Sequence, residues 1–300
     1  MVTPADVPHV SIIIPVFNQG EALGRCLAAL ERQTYPADRL EAIVVDNGSD
    51  EPIGAVAGRF RFVRAICEPT PGSYAARNRG IEASRGEVLA FTDADCLPAD
   101  DWIERGVRAV HGLSGPGMLA GRIELTFPDP HTRTAVELFE IVLGFPQEMF
   151  LTWGFGATAN LFTTRATIEQ VGLFDERLMS GGDMEWGQRL RALGLAQQYG
   201  FDACVFHPAR RTFPQLWNKT VRVAGGLQQV AEQRGQGTSG LLTNAIRQLI
   251  LMRHIRAHIS DPRLGTLERR LKFAALVWLV ELLRVFERYR VHWGGRPSRL

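Results

Sequence analysis

Residues 91–96 read FTDADC, placing Asp93 and Asp95 one residue apart at the end of an apolar run, with Asp100 and Asp101 close behind. Carboxylates this close repel one another unless a positive charge holds them together. In an extended segment, positions x and x+2 share a side, so the pair can reach one ligand. Oxygen donors of this kind suit hard divalent cations, and Mg²⁺ or Mn²⁺ commonly bridges a few protein groups to phosphates. A cation so held stabilises a leaving phosphate without an acidic side chain. The DxD pair is short and recurs by chance in loops, so its surroundings must decide its meaning.

Those surroundings alternate apolar runs with helical patterns. HVSIIIPVF (9–17) and EAIVVD (41–46) read as strands buried on both faces, FRFVRAIC (60–67) and EVLAFTDAD (87–95) as two more. Helical spacing marks EALGRCLAALERQ (21–33) and SYAARNRGIEAS (73–84) between them. The pattern predicts an α/β fold, a mixed but mostly parallel sheet flanked by helices. In such sheets ligands gather beyond the carboxyl ends of the strands. Asn18, Asp46, Asp93 and Asp95 all fall at those ends, although turn chemistry alone also favours Asn and Asp there. Further on, MLAGRIELTF reads as a strand, HTRTAVELFEIVLGF as a helix, WGFGATANLFTTR as a loop entering a strand, ATIEQVG as a short helix, a helix begins near Asp183, and QQYGFDACVFHP is a strand ending at His207.

The chain of 300 residues, 45% hydrophobic and 22% charged, has material for a sizeable core. Cys26, Cys67, Cys96 and Cys204 show no CxxC spacing, which speaks against a disulfide framework or zinc cluster. MVTPADVPHV carries no basic patch leading into an apolar stretch, so a cytoplasmic protein is expected. The net charge of +2 conceals an asymmetry: residues 208–300 hold 17 Lys and Arg against 5 Asp and Glu, or +12, leaving −10 before them. An acidic body suits metal-assisted chemistry and a basic tail suits something anionic, or a solvated arginine-rich helical surface. Beyond charge, nothing points to nucleic acid.

PVFN at 15–18, VVDNGSD at 44–50, ARNRGIEASRGEVLAFTDADC at 76–96 and GGDMEWGQRL at 181–190 occur in that order. Together they resemble the inverting family 2 glycosyltransferases of GT-A fold, over roughly residues 10–207. The resemblance implies a catalytic domain over 1–207, with a nucleotide-sugar half of about 1–117 and an acceptor half of about 118–207, and a basic, mainly helical region over 208–300. It implies a nucleotide-sugar donor, with uridine diphosphate as the expected nucleotide, contacted by Pro15, Val16, Asn18, Asp46 and Arg77. Asp93 would bind ribose or metal-bound water, Asp95 would ligate Mn²⁺ or Mg²⁺ directly, and His207 would be a third metal ligand. Asp183 resembles the catalytic base that deprotonates the acceptor hydroxyl, a position that also suits a helix cap. The family often has Glu before this Asp, where Gly182 stands here, and Glu185 matches a second acid that would orient the acceptor. Trp153 suits an aromatic acceptor platform and core packing equally. The acceptor would be a carbohydrate or lipid-linked glycan in polysaccharide assembly.

The QxxRW motif of processive synthases is absent, so a processive polymerase is not expected. Arg210, Arg211, Lys219 and Arg222 follow His207 closely and could close over a diphosphate or meet an anionic acceptor. LLTNAIRQLILMRHIRAHI and TLERRLKFAALVWLVELLRVFERYR read as helices; the second is too interrupted by charge to span a bilayer alone. It suits either an anionic membrane surface or packing onto the body. Two other functions fit the residues: a sugar-phosphate nucleotidyltransferase, disfavoured by the lack of a basic loop after the first strand, and a silent nucleotide-binding scaffold.

Overall fold

A computed structural model describes residues 7–129, 132–233, 235, 255 and 258–295. They fall into two units. The first holds the chain up to Glu124, Pro146–Arg177 and Gly182–His207; the second holds Leu125–Phe145, Leu178–Gly181 and the described residues from Pro208 onward.

The first unit is built on runs too apolar to face water on either side. Strand β1 (Val10–Val16) is buried along its length except for a partly covered Pro15, and β4 (Val88–Thr92) is buried throughout. β2 (Leu40–Asp46) and β3 (Val63–Cys67) complete a parallel set, β1 pairing with both β2 and β4, and β2 with β3. Helices α1 (Gly20–Leu30), α2 (Ile53–Ala57) and α3 (Ser73–Ala83) supply the crossovers that parallel strands require. Beyond β4 antiparallel pairings enter the sheet. The remaining strands are β5 (Leu97–Pro98), β6 (Gly117–Thr126), β7 (Asn160–Thr164) and β8 (Ala196–Pro208), and the order is β3-β2-β1-β4-β7-β6-β8-β5. β7 runs antiparallel to β4 and β6, and β5 to β8. Helices α4 (Trp102–His111), α6 (Gln147–Thr152), α7 (Arg165–Val171) and α8 (Gly182–Ala192) join them. This is the expected mixed sheet, with β3, β2, β1 and β4 parallel and β7 running against both of its neighbours.

Two expectations change at the end of β4. The strand stops at Thr92, and Asp93 begins a turn in which the Cys96 amide donates to the Asp93 carbonyl at 3.1 Å. Asp93 and Asp95 therefore do not share one extended segment, because aspartate at a strand end favours a turn. Asp100 and Asp101 are not part of an acidic site either. Asp100 pairs with Arg32 at 3.3 Å, and Asp101 leads into α4 and pairs with Arg105 at 2.9 Å.

The second unit is helical. Its core joins α5 (Ala135–Leu143), α9 (Phe213–Gln233) and α10 (Leu267–His292) through Leu138, Phe139, Leu216, Phe273, Val277 and Val280. A Thr134–Glu137 capping box starts α5, and Thr266 caps α10. The division after His207 was expected, but Leu125–Phe145 and Leu178–Gly181 also belong here. For α5 the reason is its apolar surface, buried among the residues of α9 and α10. The expected helix over 241–259, and the stretch QRGQGTSG (233–240), whose composition reads as a short polar linker, lie almost wholly outside the described residues.

Candidate active site

The site is assembled within the first unit at the edge where β1, β2 and β4 end. There Asn18 adopts a positive φ of 51°, which Asn tolerates better than most residues. Its backbone amide donates to Ser49 Oγ at 2.9 Å, and its side-chain oxygen accepts from the Asp50 amide at 2.8 Å. Asp46 Oδ1 accepts from the Ser49 amide at 2.9 Å. Asn18 thus fastens the loops after β1 and β2 together and Asp46 holds the second of them, beside Pro15 and Val16, which pair with Val45 and Asp46. Asn47 extends the brace: its side chain donates to the Glu68 and Thr70 carbonyls and accepts from the Gly72 amide at 2.8 Å. Asn47 is not among the residues that the sequence pattern singles out.

Arg77 projects from α3 and is only 4% exposed, so it is not a solvated helical arginine. Its Nη2 donates to Asp93 Oδ1 at 2.6 Å, and its guanidinium lies 5.5 Å from the Tyr74 ring centre. Its Nε is buried and bonds no described group. Tyr74 Oη donates to Asp183 Oδ1 at 3.1 Å, and the same oxygen accepts from the Met184 amide at 2.9 Å. No described residue bonds Asp183 Oδ2, which leaves that oxygen to take a proton. Burial raises the Asp183 carboxyl above its ordinary value, against the opposing pull of Arg77, the Met184 amide and the Tyr74 hydroxyl. Because α8 starts at Gly182, Asp183 lies inside the first turn and is not the residue that caps it.

Asp95 turns the other way. Its Oδ2 lies 3.6 Å from Nε2 of His207, which is 4% exposed near the end of β8. The antiparallel pairing of Leu97 with Phe206 brings them together. Cys96 Sγ falls within 4.8 Å of both donor atoms. Burial first, then the Asp93 and Asp95 charges, push the Cys96 thiol well above its ordinary value. The donors gathered here are a carboxylate oxygen, an imidazole nitrogen and a thiol, and the first two suit Mn²⁺ or another small divalent cation. Asp93, expected beside them as a ligand, is committed through one oxygen to Arg77 and lies outside this cluster.

Residues 11–165 match the family described as Glycosyl transferase family 2. The chain belongs to that family. It is 39% identical over 230 residues, 75% of its own length and 74% of the relative's, to glycosyltransferase AglE of Haloferax volcanii. Among solved structures it is similar to the Pyrobaculum calidifontis mannosyltransferase PcManGT in complex with GDP-Man and Mn²⁺. That match has a TM-score of 0.68 and 16% identity, covering 97% of this chain and 88% of that one. It is also similar to S. aureus TarS in complex with UDP-GlcNAc, with a TM-score of 0.58 and 13% identity over 95% and 90% of the two chains. The fold is GT-A and the chain is a glycosyltransferase, which removes the nucleotidyltransferase and scaffold readings.

In this glycosyltransferase the glycine before Asp183 has a steric cause. A Cβ on Gly182 would stand 2.7 Å from the Tyr74 ring, so the ring fills the space that a side chain would need. Any larger residue displaces the hydroxyl that holds Asp183. Glu185 faces Arg189, bonded at 2.7 and 3.0 Å, and so braces α8. Trp153 is 49% exposed and stands beside the stacked rings of Phe150 and Phe155, which are 4.7 Å apart. It is therefore not a core residue, and it offers an open aromatic face.

Proposed function

We propose that this glycosyltransferase moves a sugar from a nucleotide diphosphate sugar, with uridine diphosphate as the carrier, to a hydroxyl of a carbohydrate or lipid-linked acceptor. The observation that carries the reading is the Asp183 carboxylate, held by Tyr74 through one oxygen and open at the other. Its raised proton affinity suits a group that must accept a proton near neutral pH. As the acceptor oxygen forms its bond to the anomeric carbon, Asp183 Oδ2 takes the hydroxyl proton. The bond from that carbon to the diphosphate oxygen breaks, and the configuration inverts.

The remaining residues orient and balance charge. Asp46 and Asn18 shape the nucleotide cleft beside Pro15 and Val16, and Arg77 fixes Asp93 where it can meet ribose. Asp95 and His207 would hold Mn²⁺ or Mg²⁺, and the metal when bound neutralises diphosphate charge. The Mn²⁺ and GDP-Man of PcManGT support a metal and a nucleotide sugar, and the UDP-GlcNAc of TarS supports the latter. The enzyme would work in the cytoplasm, at or beside the inner face of the membrane, in glycan assembly. Turnover of a panel of α-linked UDP-sugars, followed by NMR of the first-formed product, tests the mechanism. A β-linked product is expected; an α-linked product would refute single displacement.

A further inference from the structure

Helix α10 is apolar on two faces, and among the described residues only one of them is used inside the second unit. Phe273, Leu276, Val277 and Val280 face the core shared with α5 and α9. On the other side stand Leu267 (72% exposed), Leu271 (60%), Trp278 (48%), Leu279 (38%), Phe286 (64%) and Trp293 (82%). At about 100° per residue, the spacing of these six places them within roughly one-third of the circumference. The stripe follows the 26-residue helix from its start to just past its end, about 39 Å at the usual rise. Single exposed apolar residues need no explanation, but a continuous stripe of this length marks an interaction surface.

We propose that this face of α10 docks on an anionic lipid surface, half-immersed and parallel to the membrane plane. The inference names the surface behind the peripheral placement read above and stands apart from the active-site chemistry, since none of its residues contributes to that site. Three observations select lipid over a protein partner. The stripe is rich in tryptophan and phenylalanine, with Tyr289 packed edge-on to Trp293 at 6.2 Å, and such side chains settle at the boundary between acyl chains and headgroups. The helix carries six basic and three acidic residues, and two of the acids, Glu281 and Glu287, are buried on the inner side. Of the acids on α10, that leaves only Glu268 exposed, paired with Lys272 at 2.5 Å, so the surplus positive charge comes from the arginines of the helix and of the segment 208–300, whose net charge is +12. Finally, no helix among the described residues is long and apolar enough to cross a membrane, so attachment through α10 is interfacial.

The test is co-sedimentation of the full chain with vesicles of phosphatidylglycerol and phosphatidylcholine, or of phosphatidylcholine alone. It is repeated for the double variant Trp278→Ser, Phe286→Ser. The wild type is expected to sediment with the anionic vesicles, to shift its tryptophan emission to the blue, and to release at about 0.5 M salt. The double variant is expected to lose about tenfold or more in vesicle affinity, because two large apolar side chains no longer leave water. Both positions are exposed, so its circular dichroism, melting temperature and nucleotide binding should match the wild type. A wild type that ignores anionic vesicles, or a double variant that binds them equally, overturns the proposal. A concentration-dependent dimer abolished by the double variant, with no vesicle binding, reassigns the face to contact between copies of the chain.

Discussion

Replacing Asp183 by Asn is expected to lower kcat by about 10²- to 10⁴-fold, the usual worth of a positioned general base, while leaving nucleotide binding intact. Asn keeps an oxygen for the Tyr74 hydroxyl and the Met184 amide, so the site keeps its shape and loses only the proton acceptor. The same variant should be more stable than the wild type at neutral pH. A carboxyl whose folded pKa is raised binds protons more readily folded than unfolded, so its contribution to stability falls as pH rises from its ordinary value of 3.8 through the raised one. Above that window the full cost of a buried, ionised Asp183 is present, and Asn removes it. Below pH 3.8 the wild-type acid is neutral in both states and the advantage disappears. Thermal melts at neutral and acid pH, together with initial rates, check both halves. A carboxylate with a purely structural role would instead lose stability on substitution, with little effect on kcat.

The second large effect concerns the helical unit. Glu140, 0% exposed within α5, receives Arg210 at 3.0 Å and Lys219 at 3.2 Å. Burial works to raise the Glu140 carboxyl, but Lys219 and Arg210 together hold it below its ordinary value. Burial lowers the Lys219 ammonium to about 8 despite the partner carboxylate. Glu140→Ala leaves two partly buried cations without their counter-charge and should destabilise the fold by about 3–5 kcal/mol. Because the folded Glu140 pKa is depressed, the wild type keeps this contribution above the ordinary value of 4.5 and loses it as pH falls through the folded value. The difference between the two proteins should therefore shrink in acid. Urea unfolding at pH 7 and pH 4 measures it; an unchanged midpoint at pH 7 would mean that the cluster contributes nothing.

This cluster also shows where reading from sequence alone stops. Arg210, Arg211 and Lys219 were read as cations free to meet a diphosphate, yet their partners are Glu140 and Glu137, about seventy residues earlier. The signal available was two glutamates inside the otherwise apolar AVELFEIVL, which demand buried counter-charges. The parallel half of the sheet was legible because strands buried on both faces are continuous apolar runs. The ends of those strands located Asn18, Asp46, Asp93 and Asp95 for the same reason. What one residue does to another across the chain was not legible. Tyr74 reaches Asp183 across 109 positions, and Gly182 follows from the space that the Tyr74 ring occupies. The spacing of Asp93 and Asp95 suggested a shared ligand, whereas the turn after Thr92 sends one to Arg77 and the other to His207.

The central claim is that one edge of this sheet binds a nucleotide diphosphate through a metal held by Asp95, and that Asp183 acts only on the acceptor. Calorimetric titration of uridine diphosphate, with and without Mn²⁺, into the wild type, Asp95→Asn and Asp183→Asn tests it most directly. Binding that requires Mn²⁺, is abolished in Asp95→Asn and is unchanged in Asp183→Asn is the predicted result. Binding that is indifferent to Mn²⁺ and to Asp95, or that disappears with Asp183, would contradict it.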